Sequence, residues 1–345
     1  MGRAGGREIA KDATVYRKQH EGGVALKILI IPGLTLTGLA EADLDRIRRA
    51  GGGAEVVVAD PESALAEVVD ADVVLGFVPR TLYRAARKLR WVHAIASGVD
   101  SFLYDELRTG DVILTSEKGL VGEHLADHGF GLLLMLTRQL ATALRLGPDA
   151  WNHRSAMRAE EIELTGLTMG IYGFGGTGRA IARRAAAFGM RCIAVDRDPV
   201  PVSPEVDVVM TPDAFDELLR RSDVVAICCP LTPETRGKFD ARAFGLMKPT
   251  AMLVNVTRGE VMVEADLVDA LESGAIRGAA LDVAPTEPLP STSRLWDLPQ
   301  VVMTPHTAGA SQFRTERNLD RFVRNLERFR GGETLEGEID KTLGY

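Results

Sequence analysis

Three cysteines in 345 residues, Cys192, Cys228 and Cys229, are too few for a disulfide scaffold. Cys228 and Cys229 are neighbours in an apolar run, and neighbours rarely bridge; no C-x-x-C spacing offers zinc a site. The three read as buried, reduced thiols of a cytoplasmic protein. No charge-free run of about 18 apolar residues is present, so a membrane-spanning helix is not expected. An excess of positive charge is also missing. Lys and Arg number 41 against 48 Asp and Glu, a formal net charge of -7, the wrong sign for a general binder of nucleic acid or acidic membranes. Histidine is scarce, at six residues, so each one has to be accounted for. The opening "MGRAGGREIAKDATVYRKQHEGGV" is basic and has no apolar stretch that could serve as a signal peptide. Residues 1–24 therefore read as a flexible N-terminal extension.

What is present is globular: 46% hydrophobic and 26% charged residues, in a chain long enough for two domains. Short β-branched runs alternate with longer amphipathic ones, which predicts parallel sheets covered by helices. The first series of strands is "LKILIIP", "AEVVVAD", "ADVVLGF", "WVHAIAS" and "DVILTS". In the intervening "AEADLDRIRRAG", Leu44 and Ile47 share a helical face and Gly51 ends the helix. The stretch "VGEHLADHGFGLLLMLTRQLATALR" predicts one helix of about 25 residues, a length suited to a connector between domains. A second series follows: "TMGIYG", "RCIAVD", "VDVVMT", "DVVAICC", "AMLVNV", "GAALDV" and "VVMTPH". The amphipathic "SQFRTERNLDRFVRNLERFRGG" is expected to close the chain, with its arginines and glutamates on a solvated face.

The second series opens on "GIYGFGGTGRA", with G-x-G-x-x-G at Gly173, Gly175 and Gly178. Alone the pattern is weak, but here a strand precedes it and a helix-forming run follows. Gly173 permits a tight turn, Gly175 lets a pyrophosphate approach the backbone, and Gly178 lets helix and strand pack closely. Phe174, Gly176 and Thr177 lie within the same turn, whose exposed amides would face phosphates. Asp196 stands 18 residues after Gly178 (196 − 178), at the end of the next strand. A carboxylate there accepts ribose hydroxyls and repels a 2′-phosphate, which favours NAD over NADP; Arg197 beside it weakens that preference.

Downstream come "CCPLTPETRG", "LVNVTRGEVMVEADLVDAL", "GAALDVAPTEPLP" and "VVMTPHTAG". In this order, and over roughly residues 27 to 335, they resemble the D-isomer-specific 2-hydroxyacid dehydrogenases. The resemblance implies two doubly wound α/β domains, a Rossmann NAD-binding domain over 123–308 inserted in a flavodoxin-like substrate domain of 25–122 and 309–345. It implies that Arg258 binds the substrate carboxylate and polarises the keto oxygen, that His306 gives and takes the proton, and that Glu287 is its acid partner. Ser97, Gly98 and Val99 would offer amides to the carboxylate, and Phe77 would line the pocket for the substrate side chain. Arg80 either joins that pocket or is a solvated residue at a helix start. On the cofactor side stand Cys229, Pro230, Thr232, Thr235, Val256, Thr257 and Gly309, with Asp282 holding the nicotinamide amide and Asp196 the adenosine ribose. The segment around Trp151 and His153 would belong to the arm of a homodimer.

These residue types suit the chemistry. Reducing a 2-keto acid turns a carbonyl oxygen into an alkoxide, which calls for a cation to stabilise it and an acid to protonate it. A guanidinium stays charged and matches a carboxylate with its planar fork. An imidazole exchanges protons near neutrality, and a carboxylate on its far nitrogen fixes the tautomer and stabilises the imidazolium. Taken singly, Arg258, Glu287 and His306 also fit a surface ion pair, a solvated loop carboxylate and a structural histidine. Three positions depart from the family pattern: Ser97 is small before its glycine, Thr257 replaces a smaller or apolar residue, and no aromatic follows Val283. Each bears on substrate shape, and the substrate acid stays open. An NAD-sensing interaction protein like the C-terminal-binding-protein corepressors is the alternative, distinguished by absence of turnover. His124 and His128, four apart in "HLADH", have the spacing of a helical metal site, but no third ligand stands out and no metal is expected. His93, after Trp91 in a strand, reads as a residue of the core or of the layer just behind the site.

Overall fold

The computed structural model describes residues 25–345; the extension expected over 1–24 lies outside the described residues. The chain divides into two compact units. One comprises the described residues up to Lys118 together with Gln312–Tyr345, and the other is Gly119–Ser311. These divisions fall four and three residues from those expected from the sequence (122 − 118 and 311 − 308).

In the first unit β1 (Lys27–Ile30), β2 (Glu55–Val58), β3 (Val73–Leu75), β4 (Trp91–His93) and β5 (Ile113–Thr115) form one sheet in the order β2-β1-β3-β4-β5. Every pairing is parallel, so each strand needs a crossover and each face a cover, and the central strand β3 is a fully buried apolar run while the edge strand β2 is only partly covered. Side chains of β1 alternate between the two faces. Leu29 joins Val74, Val92 and Leu114 on one, while Ile28 and Ile30 join Val73, Leu75 and Trp91 on the other. That second face is covered by Ile47 of the helix Glu41–Ala50 and by Leu319, Phe322 and Leu326 of the helix Arg314–Gly331.

The C-terminal helix corrects two expectations. It does not close the chain: Gly332 takes a left-handed conformation (φ 70°), and the tail returns to bridge Glu338 to Thr115 and to hydrogen-bond Ile339 N to Leu114 O. Nor is its polar side wholly solvated. Arg314 donates to the fully buried Glu117 carboxylate (Nε–Oε2 3.0 Å), and Arg321 to the carbonyls of Ser116 and Lys118.

The second unit holds β6 (Thr168–Tyr172), β7 (Arg191–Val195), β8 (Val208–Met210), β9 (Val224–Ile227), β10 (Met252–Asn255), β11 (Gly278–Leu281) and β12 (Val301–Met303). Their order is β12-β11-β10-β9-β6-β7-β8, all parallel. Strand order reverses between β6 and β9, the switch point at whose carboxyl edge such sheets bind ligands. The predicted strands are all present, in a fold of two doubly wound parallel sheets.

The expected 25-residue helix is instead two, Gly122–Thr137 and Leu140–Leu146. Gln139 between them is left-handed (φ 54°). Its side chain caps both ends, donating to Leu136 O and accepting from Thr142 Oγ1, while Thr137 O is taken by Ile162 N. No helix among the described residues is long and apolar enough to cross a membrane.

Candidate active site

The glycine-rich turn joins β6 to the helix Gly176–Ala187 at the switch point. Gly173 has φ 99°, and a Cβ there would stand 2.5 Å from Cys229 N, so only glycine lets β6 and β9 lie this close. A Cβ on Gly178 would overlap Gly173 O. Gly175 is different: nothing lies within 4 Å of its ideal Cβ, so no packing within the protein calls for glycine there. Asp196, at the end of β7, accepts from Phe174 N at 2.5 Å and from Asp198 N at 2.9 Å, which fixes its carboxylate against the turn. Exposed amides at a helix start beside a fixed carboxylate suit a dinucleotide's pyrophosphate and ribose.

Sequence reasoning missed the other wall of this turn. A Cβ on Gly122 would meet Gly176 O at 2.6 Å, and Gly176 in turn packs on Gly119 Cα. Two isolated glycines near a helix start carried no signal of their own.

After β9, Thr235 Oγ1 accepts from Thr232 N and donates to Pro230 O, each at 2.8 Å, folding these residues into one turn. The Cys229 thiol is buried, and burial pushes it up to about 12, so this residue presents backbone and not a reactive sulfur. None of the three cysteines is bridged.

Asn255, fully buried at the end of β10, organises the arginine segment. Its Nδ2 donates to Arg258 O at 2.9 Å, and its Oδ1 accepts from Thr257 N at 3.1 Å and Thr257 Oγ1 at 3.2 Å. This explains a polar residue at 257. Val256 is buried, while Arg258 is half-buried and donates from Nη1 to Thr257 O. Gly259 packs against the backbone that follows β11: a Cβ on it would overlap the carbonyl of Ala284.

On that following segment Glu287 accepts from Ala284 N through Oε1 at 3.0 Å, which leaves Oε2 for the histidine. His306 Nδ1 lies 2.7 Å from Glu287 Oε2, and the two side chains are 44% and 37% exposed. The far nitrogen, Nε2, has no partner among the described residues. An imidazole held by a carboxylate on one side and open on the other can pass a proton to a bound molecule. Here His306, three residues past β12, has φ 53°, a left-handed conformation that costs a non-glycine residue roughly 1–2 kcal/mol.

Asp282 holds that conformation. It is 1% exposed, and its oxygens accept from Thr304 Oγ1 (2.6 Å), Thr307 N (2.9 Å) and Ala308 N (2.8 Å), while its carbonyl takes His306 N (2.7 Å). Asp282, which the family resemblance implies as a contact of the nicotinamide amide, thus also anchors the histidine loop from within. Gly309 follows directly, half-buried.

In the first unit the residues expected at the substrate also follow strand ends. Phe77 comes after β3, 46% exposed with its ring edge-on to Phe102 at 5.1 Å. Ser97 and Gly98 are partly exposed after β4, and Val99 is buried in the turn closed by Phe102 N to Val99 O. Arg80 starts the helix Arg80–Ala85 and is tied to Glu106 at 2.8 Å. His93 is fully buried. No group of three or more His, Cys, Asp or Glu able to hold a metal occurs among the described residues.

A doubly wound sheet with a nucleotide turn and a histidine–carboxylate pair along its carboxyl edge defines a nicotinamide-dependent oxidoreductase. Comparison with known proteins gives the family. The family model described as "D-isomer specific 2-hydroxyacid dehydrogenase, NAD binding domain" matches residues 130–308. A glyoxylate reductase of Korarchaeum cryptofilum is 35% identical over 79% of this chain and 79% of its own length. A hydroxypyruvate reductase of Blautia hydrogenotrophica is 30% identical over 80% and 87%. An NADPH-dependent glyoxylate/hydroxypyruvate reductase of Sinorhizobium meliloti, solved with NADP and sulfate, has a TM-score of 0.75 at 28% identity and covers 93% of this chain and 100% of its own. The chain belongs to the D-isomer specific 2-hydroxyacid dehydrogenases, a hydride-transferring 2-hydroxyacid oxidoreductase with an NAD(P)-binding domain.

Proposed function

We propose that this chain reduces a small 2-keto acid, of the size of glyoxylate or hydroxypyruvate, to the D-2-hydroxy acid and also runs the reverse oxidation, with NAD(H) as the preferred cofactor. The observation that carries the reading is the 2.7 Å pair of His306 and Glu287 at the carboxyl edge of the sheet, with Nε2 left to meet a substrate oxygen. In this reading Arg258 binds the carboxylate and stabilises charge on the keto oxygen. His306 delivers the proton to that oxygen while Glu287 holds its ring and its charge. Ser97, Gly98 and Val99 supply amides to the carboxylate, and Phe77 limits the substrate's side chain.

The nicotinamide, when bound, supplies or accepts the hydride. The turn Gly173–Gly178 would receive its pyrophosphate, Asp196 the ribose hydroxyls, and Pro230, Thr232 and Thr235 the adenine side, with Val256, Thr257 and Gly309 nearer the reacting end. Preference for NAD rests on Asp196, whose charge repels a 2′-phosphate; the adjacent Arg197 is exposed and reaches Asp198 at 3.3 Å. Leu140, Leu144 and Trp151, left 48%, 75% and 79% exposed, support a homodimer built on this segment of a cytoplasmic enzyme.

The deciding experiment is steady-state oxidation of NADH and NADPH, side by side, over a panel of 2-keto acids. Turnover of a short 2-keto acid, faster with NADH by about tenfold or more in kcat/KM, is expected. Cofactor binding without turnover across the panel would overturn the enzymatic reading, and an NADPH preference would overturn the cofactor assignment.

A further inference from the structure

The geometry points to His128 as a positioning residue for His306, acting through Thr304 and Asp282; the inference rests on the reading of His306 as the proton donor. His128 sits on the helix Gly122–Thr137, far along the chain from the loop it touches. Its Nε2 lies 2.7 Å from Thr304 Oγ1 and 3.3 Å from Asp282 Oδ1. The direction of this chain of bonds follows from the inventory of protons. Thr304 spends its one hydroxyl proton on Asp282 Oδ1, at 2.6 Å. Its oxygen therefore accepts from His128, whose Nε2 carries a hydrogen.

The carboxylate so held is the group that fastens the loop. Asp282 takes Thr307 N and Ala308 N, the two amides that follow His306, and its carbonyl takes the His306 amide itself. His306 is thereby kept at φ 53°, which it would leave for an extended conformation if the anchor turned. Two histidine–carboxylate couples thus stand in series. His306–Glu287 faces outward, and His128–Thr304–Asp282 lies beneath it and sets where its ring points. The spacing of His124 and His128 that suggested a helical metal site serves, at 128, this hydrogen bond.

A misplaced proton donor damages the chemical step more than the binding of substrate, because a displacement of about 1 Å can cost up to about a hundredfold in rate. The test compares His128→Leu, which removes the donor, with His128→Gln, whose amide Nε2 returns an N–H to nearly the same place. Two quantities are read: kcat and KM for the best 2-keto acid of the panel, and hydrogen exchange at the Thr307 and Ala308 amides. His128→Leu should lower kcat about tenfold with KM changed less than twofold, and speed exchange at both amides about tenfold; His128→Gln should recover most of each loss.

Parent-like kcat and amide protection in His128→Leu would overturn the inference, as would a His128→Gln variant as impaired as His128→Leu. If His128→Leu does not fold, Thr304→Val against Thr304→Ser asks the same question from the middle of the chain of bonds. If the parent turns over no 2-keto acid, the proposed function fails, and amide exchange still decides whether His128 fastens the loop.

Discussion

Two histidines, one in each unit, show how the same side chain is put to opposite uses at the end of a parallel strand. His93 is the last residue of β4, fully buried, with Nδ1 2.6 Å from Thr115 Oγ1 and Nε2 3.4 Å from Asn318 Nδ2. Its ring packs against Trp91 and Phe322, with ring centroids 6.0 and 5.5 Å away. Burial drives its pKa down to about 3, with the Arg321 charge adding to the effect, so it is a neutral fixture of the core. His306 lies beyond its strand and half out of the protein, with a carboxylate on one nitrogen and the other unspent. Reach into solvent, and the charge of the partner, separate a histidine that packs from one that can move protons.

The sharpest way to break the comparison is to exchange His306 for asparagine, which tolerates the left-handed backbone and removes only the imidazole. His306→Asn should cut kcat by about a thousandfold while leaving the thermal midpoint within a degree or two, measured by steady-state kinetics and a thermal melt. A variant with near-parent kcat would return His306 to the same class as His93.

Next in size is Glu287→Gln, which keeps the shape beside Nδ1 and removes the charge. We expect kcat to fall tenfold to a hundredfold, and the pH at which reductive activity fades to move lower. An unmoved pH profile would sink the pairing of Glu287 with the proton donor.

The smallest effect concerns His93 and is read as stability. Its folded-state value near 3 lies below the unfolded value near 6.5, so the unfolded chain binds the extra proton between them. This group contributes no loss above about pH 6.5; as pH falls from there towards 3 it removes about 1.4 kcal/mol per pH unit. Urea unfolding between pH 4 and 6 should therefore show a shallower pH slope in His93→Gln than in the parent, by about one proton. An equal slope would mean that His93 is not held neutral.

Much of this was legible in the sequence, and the residues say why. The twelve strands among the described residues followed from short apolar, mostly β-branched runs bounded by turn residues, a composition strongest in the central strands, which are buried on both faces. The glycine turn was legible because its spacing is a local pattern between a strand and a helix, although only the Gly178 constraint, from Gly173 O, is local; that on Gly173 comes from Cys229 after β9. The break at Gln139 was not, since Ile162 and Thr142 supply the bonds that make it acceptable. Glu117 and Arg314 were unreadable for the same reason in stronger form. They are 197 residues apart, and neither neighbourhood announces that an ion pair will be buried between them. Asp282 was expected only as a contact of the nicotinamide amide; its bonds to Thr304, Thr307 and Ala308 depend on how β11 and β12 align, which spacing alone does not reveal.

Gly259 carries a consequence for anyone who alters this chain. Because even a methyl group there would overlap the Ala284 carbonyl, the segment bearing Arg258 and the segment leading to Glu287 are backbone against backbone, without a side chain between them to yield. A saturation library at position 259 should return glycine alone, and redesign for a bulkier acid has to leave this seam shut and make its room elsewhere.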